Sequence, residues 1–391
     1  MGVKQNRVRV RLARHGAGME ARHYLWTVSA GIVIAAVVAL VISGSRRTSA
    51  ATPRPPFNME VPKFAVDPSW PHIPNGWTLG QVSSAASDSD GNIWIIHRSR
   101  TVKPGVKTGP PVMEFDPAGN YIQGWGGQSG DGYTWPSTEH GITVDYKGFV
   151  WISGNGNDDQ ILKFTKDGKF IMQIGHAAQK KSNADTTSLW KPADVFVYPK
   201  TNEIFVADGY GNRRVIVFDA DTGAYKRHWG AYGNKPDDSV PRTRVYEGPG
   251  PQQFNTVHGI RISSDDLVYV GDRVNNRIQV FRPDGTFVKE GYIERKTLTP
   301  EGTAFDIAFS PDKQQQFFYV PDGSNKKVQI LNRDTLEVVG FFGGHGGHGT
   351  GQFFHIHSIA TDSKGNIYLG ESFGMRALRW NYKGMSAASS R

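Results

Sequence analysis

From about residue 80 onward the chain consists of short apolar runs separated by turn residues, and the same sequence of runs and turns returns about every 50 residues. A short apolar strand leads into a turn of the Asp-x-x-Gly kind. A second, alternating strand ends in Ala-Asp or Gly-Asp. A third, of the Arg-Ile-x-Val-Phe kind, runs into Asp-Gly and a fourth strand. The clearest copies run from His140 to Gly168, Ala193 to Phe218, His258 to Gly285 and His357 to Leu369; Ser84 to Tyr121 and Thr303 to Phe342 are weaker ones. Gly-rich loops that end in Phe, such as Gly248 to Phe254 and Gly343 to Phe353, join the copies. Four short antiparallel strands per period, stacked radially, make a β-propeller. The pattern predicts an all-β, six-bladed propeller over residues 80–385.

One segment breaks the pattern. Leu25 to Ser43 reads LWTVSAGIVIAAVVALVIS, with no charge. It is long enough to span a bilayer as a transmembrane helix, or to serve as a signal-peptide core. The expected organisation is a basic cytoplasmic tail (1–24), an anchor or signal core (25–43), a Pro-rich linker and lead-in (44–79), and the propeller. Eight of the 45 Lys/Arg residues but one of the 36 Asp/Glu lie within residues 1–50. Most of those basic residues precede the apolar run, which places the body outside the cytoplasm, in a periplasmic or extracellular space, tethered to the membrane by the N-terminal helix. Arg46-Arg47 follows the run, so it is not a twin-arginine export signal.

The net charge of +9 therefore belongs to the tail. The body is close to neutral and lacks the basic excess that nucleic-acid binding needs. Gly 46, Pro 22 and 12 % aromatic residues fit a turn-rich β fold and argue against disorder. There is no Cys, which excludes disulfides, thiolate zinc sites and thiol nucleophiles. Any metal must be held by imidazole, carboxylate or carbonyl groups.

In a propeller the first strand of each blade lines the central channel. Three copies begin that strand with histidine, His140, His258 and His357, about two periods apart, and the intervening copies near Ala193 and Thr303 do not. Blades two, four and six of a six-bladed ring are 120° apart, so the three imidazoles converge on the axis at one depth. Three His with an open fourth position is a recurrent catalytic zinc arrangement. His176, His228, His345 and His348 are expected in solvent-facing loops. His355 is an alternative to His357, whose register is better because Ile359 then matches Ile142 and Ile260.

The repeat resembles the NHL repeat over residues 80–382. The chain further resembles peptidyl-α-hydroxyglycine α-amidating lyase, a six-bladed propeller that holds zinc with three His. Gln81-Val-Ser through Ile96-His-Arg98 is similar to the family segment that ends in a catalytic Arg. Asp208-Gly-Tyr-Gly-Asn is similar to the segment with the catalytic Tyr, which points to Tyr210. Gly271-Asp-Arg-Val-Asn-Asn-Arg is similar to the segment with a second active-site Arg, here Arg273. The resemblance implies zinc on His140, His258 and His357. It implies cleavage of the C–N bond of a carbinolamide, the α-hydroxyglycine end of a peptide or small molecule, to an amide and glyoxylate. Tyr210 would be the base, with Arg273 or Arg98 supplying a nearby cation and pairing with the glyoxylate carboxylate. It also implies a structural calcium at positions matching Ala85, Ile142 and Ser358, where Ser358 is a neutral replacement for the family's carboxylate. The family's cysteine after the Tyr is Gly211 here. Arg214 and Arg277 recur at one repeat position and read as structural. Two other readings stand beside the enzyme: a non-catalytic binding or scaffold propeller, and a hydrolase of the gluconolactonase kind, whose metal ligands favour carboxylate and Asn.

Overall fold

A computed structural model describes residues 60–387. The basic tail, the apolar run Leu25–Ser43 and residues 44–59 of the linker and lead-in lie outside the described residues, and so does the expected membrane or signal helix. Among the described residues no helix is long and apolar enough to cross a membrane.

Six antiparallel sheets of four strands each form the six blades. Their innermost strands are Gln81–Ser87, Glu139–Val144, Asp194–Tyr198, Val257–Ile262, the short Ala308–Phe309 and Ile356–Thr361. The inner strands of blades six, one, two, three and four touch one another in turn around the channel. Among the described residues helical structure is limited to three-residue 3₁₀ turns.

The Asp-x-x-Gly signature is explained by one side chain with two tasks. In blade two, Asp145 Oδ1 accepts the main-chain N–H of Lys147 and Phe149, both at 2.9 Å, and closes the turn. Its Oδ2 accepts Nε1 of buried Trp151 at 2.8 Å, which fixes that ring in the core. Asp88 does the same for Trp94 in blade one, and Asp362 for the hydroxyl of Tyr368 in blade six. Gly91, Gly148 and Gly365 each take φ near +84°, where a side chain would be strained.

The Asn-x-Arg arginines are structural, as expected. Arg214 pairs with Asp208 at 2.8 Å and Arg277 with Asp272 at 2.7 Å, all four side chains fully buried. Each pair staples the loop between the second and third strands of its blade.

The ring is closed by a strand from the stretch that reads as lead-in. Glu60–Asp67 is the outermost strand of blade six and pairs antiparallel with Arg376–Ala387, Val66 opposite Trp380 and Asp67 opposite Arg379. Asp67 and Arg379 also form an ion pair. Deleting Glu60–Asp67 from the full chain removes buried Val61 and the packing of Phe64 and Val66, about 4 kcal/mol of apolar burial. A fall in melting temperature of roughly 5–10 °C is the expected result of a thermal melt.

Candidate metal centre

His140, His258 and His357 are each the second residue of the innermost strand of blades two, four and six. The ladder is interrupted at each: pairing jumps from Glu139 to Ile142, from Val257 to Ile260 and from Ile356 to Ser358. Such an irregularity turns a side chain out of its regular direction. Here the three rings are brought together, with centroids 4.7, 4.8 and 4.9 Å apart and mutual inclinations of 76°, 77° and 77°. The cluster is close to three-fold symmetric, and its members are 2, 3 and 6 % exposed.

The protonation pattern follows from their partners. Nδ1 of each ring faces a main-chain carbonyl of the next blade: His140 to Ala193 (2.8 Å), His258 to Phe305 (2.5 Å) and His357 to Ser83 (2.7 Å). A carbonyl only accepts, so each Nδ1 donates and each Nε2 keeps a lone pair. Burial lowers the pKa of all three, and together with the Arg98 and Arg273 charges it brings His140 down to about 3. Neutral imidazoles are the metal-binding form.

Tyr210 sits in the loop between Glu203–Asp208 and Arg214–Asp219, and its hydroxyl oxygen lies 2.9 Å from Nε2 of His140 and 3.0 Å from Nε2 of His258. Arg273, just beyond Val268–Asp272, donates Nη1–H to the same oxygen at 2.9 Å. The guanidinium lies against the rings of Tyr210 and Phe305. The phenol has one proton to offer, and two imidazole lone pairs face it. The cluster is thus short of protons and suited to a cation. The three ligand atoms lie within 4.8 Å of one another. Tetrahedral zinc with bonds of about 2.1 Å needs ligand atoms roughly 3.4 Å apart, so small inward movements suffice. Among the described residues this is the only group of three or more His and carboxylate side chains placed to hold a metal.

Arg98 ends the strand Ile93–Arg98 and donates Nε–H to the carbonyl of Glu139, beside His140, at 2.9 Å, and Nη1–H to Gln81 at 2.8 Å. Its hydrogen-bond partners are neutral, and the Glu139 and Asp158 carboxylates act on it only through space, which leaves it able to pair with an anion near the cluster. Gly211 has a steric reason. Its N–H donates to Trp190 O at 3.0 Å, and a Cβ there would lie 2.1 Å from the indole ring. Gly211→Ala is expected to push the Tyr210 loop off Trp190. A misplacement of that kind costs about 10²-fold in rate, with bound metal unchanged, as turnover and metal analysis of the variant would show.

The three positions matched to calcium lie on the inner strands of blades one, two and six, but they do not fit that ion. Ala85 and Ile142 offer carbonyls, and Ser358 offers a buried hydroxyl with no hydrogen-bond partner. The carboxylates at this depth, Asp194 and Asp306, are both engaged by Arg261. His355 stays outside the cluster, held by Ser372 at 2.8 Å and Glu301 at 2.6 Å. His176, His345 and His348 are exposed. His228 is not in a loop: it lies half-buried in the outer strand Tyr225–Trp229, against the Tyr225 hydroxyl. Sequence reading missed the three carbonyl acceptors, whose identity is independent of side chain, and Phe305, Asp194, Arg261 and Asp306.

An NHL repeat family model matches residues 254–281, which include His258, Arg273 and Arg277. Rat peptidylglycine α-amidating monooxygenase is 28 % identical over 319 residues, 75 % of this chain and 29 % of the rat protein. The chain thus spans less than a third of that relative's length. A probable peptidyl-α-hydroxyglycine α-amidating lyase of Caenorhabditis elegans is 27 % identical over 268 residues, 64 % of this chain and 69 % of that protein. Mouse NHL repeat-containing protein 3 is 25 % identical over 292 residues, 72 % and 71 % of the two chains. The chain is a six-bladed β-propeller that matches the NHL repeat at residues 254–281 and is similar to the peptidyl-α-hydroxyglycine α-amidating lyases.

Proposed function

We propose that the protein is a zinc-dependent lyase that cleaves an α-hydroxyglycine-type carbinolamide to an amide and glyoxylate. The observation that carries this reading is the convergence of three neutral imidazole Nε2 atoms and the Tyr210 hydroxyl in one proton-poor cluster, with Arg273 on the phenol. A zinc ion held by three imidazoles supplies a Lewis-acid charge that favours negative charge developing on a substrate oxygen.

The chain's own groups perform the proton transfers. Tyr210, as phenolate, takes the proton of the substrate hydroxyl. The O–H electron pair becomes the carbonyl of glyoxylate as the C–N bond breaks, and the proton passes to the departing amide nitrogen. Atoms balance without water or a second reactant. Arg273 holds the phenol oxygen in place through its 2.9 Å hydrogen bond. Arg98, with neutral partners only, is placed to pair with the substrate carboxylate. The acyl side of the substrate, peptide or small molecule, leaves as the amide.

The N-terminal charge pattern supports tethering to a membrane with the propeller in an extracytoplasmic space. A non-catalytic binding propeller is the second reading. It offers no reason for a buried, proton-poor ring of three imidazoles.

The test is release of glyoxylate from α-hydroxyhippurate by the full-length protein. Glyoxylate and benzamide in equal amounts are the expected products. A folded, metal-loaded protein that releases neither would move the substrate to another class.

A further inference from the structure

Asp194, Arg261 and Asp306 form a buried group in the channel that the reaction above does not use. Arg261 lies three residues beyond His258 on the inner strand of blade four. Its guanidinium pairs with Asp194 of blade three, and its other terminal nitrogen lies 3.4 Å from Asp306 Oδ1 of blade five. It also donates to the carbonyl of Ile260 at 2.6 Å. Main-chain groups take up the rest: Asp194 Oδ2 accepts Ile260 N–H at 3.1 Å, and Asp306 Oδ2 accepts Ile359 N–H at 3.0 Å. One guanidinium and two carboxylates therefore tie together the inner strands of blades three, four and six and the loop that leads into the inner strand of blade five.

Every contact of this group lies next to something that holds the histidines. Asp194 directly follows Ala193, whose carbonyl orients His140. Asp306 directly follows Phe305, whose carbonyl orients His258. Ile260 and Ile359 come two residues after His258 and His357.

We propose that Arg261 is a built-in cation that braces the inner strands beneath the histidine ring and makes a divalent ion there unnecessary. The calcium that the resemblance implies needs a carboxylate beside the last histidine, and Ser358 stands there. The carboxylate comes instead from blade five, as Asp306, and the positive charge from blade four. A calcium ion would have to displace the guanidinium from both of its partners. The brace also separates the small cavity under the histidines, lined by Asp194, Asp306 and Ser358, from a wider one of about 410 Å³ at the opposite mouth, lined by Arg261, Thr143 and Phe309.

The inference does not depend on the lyase reading, and its test needs no activity. Full-length protein is dialysed into buffer that contains zinc but no calcium, its metals are measured, and it is melted with and without millimolar calcium. The expected result is no stoichiometric calcium and a melting temperature indifferent to it. One retained calcium per chain, or a wild-type melting temperature raised by calcium, would overturn the inference. Arg261→Met leaves two buried carboxylates facing each other. It is expected to melt lower and to become stabilised by calcium; a variant that melts like the wild type would contradict the bracing role. If Arg261→Met fails to fold, Arg261→Lys decides: it keeps a cation between the carboxylates and should fold without responding to calcium, whereas a calcium-dependent Arg261→Lys would refute the inference.

Discussion

His258→Ala is expected to strip the channel of its metal and to lower glyoxylate release by about 10³-fold or more. Two imidazoles remain, which is too few for a closed three-nitrogen set, and replacing a partner outside the ligand set alone typically costs 10- to 100-fold in affinity. The substitution also orphans the carbonyl of Phe305, which loses the donor that His258 Nδ1 provides. An unpaired buried acceptor costs about 1–3 kcal/mol. That is small against the stability of a six-bladed domain, so the variant should fold, and circular dichroism with metal analysis separates loss of metal from loss of structure. His176→Ala, at an exposed histidine, should leave both metal and rate unchanged. Full metal content in His258→Ala would show that the three rings are not the ligand set.

Tyr210→Phe carries the second large effect. The phenyl ring keeps the packing against Arg273, whose guanidinium lies 5.1 Å from the ring centre, and against the His140 ring. Only the oxygen is lost, and with it the group placed to move the substrate's proton. General base catalysis contributes about 10²- to 10⁴-fold, so kcat should fall by that much. The three Nε2 atoms are untouched, so metal content should stay at the wild-type level. A kcat within a few-fold of wild type would remove Tyr210 from the chemistry while leaving the metal centre intact. These two variants therefore fail in different ways, the first in metal content and the second in turnover alone.

Much of this architecture was legible because the repeat makes local signals redundant. Asp145, Asp88 and Asp362 each close a turn and hold an aromatic ring of the following strand, so the Asp-x-x-Gly spacing carries tertiary information three times over. The alternate placement of His140, His258 and His357 was legible for the same reason: equal repeat positions become equal positions around an axis, and the rings fall within 0.2 Å of equal spacing. The ring-closing strand was not legible. Glu60–Asp67 is an outer strand whose partner lies at the far end of the chain, and no repeat copy surrounds it to mark its register. The Arg261 brace was hidden for a related reason. Its carboxylates come from blades three and five, and blade five has an inner strand of only two residues, Ala308–Phe309, preceded by the loop that carries Asp306. Spacing along the chain does not report a contact made across three blades. Arg273 and Tyr210 were located by local similarity, but their shared hydrogen bond, which gives each its role, is a property of two neighbouring blades.

The most direct measurement is a metal titration of turnover. Full-length protein is freed of metal with a chelator, the chelator is removed, and glyoxylate release from α-hydroxyhippurate is followed as zinc is added back. A zinc lyase built on one three-histidine centre predicts no rate in the apoprotein and a rate that rises linearly and stops at one zinc per chain. Full turnover by metal-free protein, or zinc bound at one per chain with no glyoxylate at any point of the titration, would contradict it.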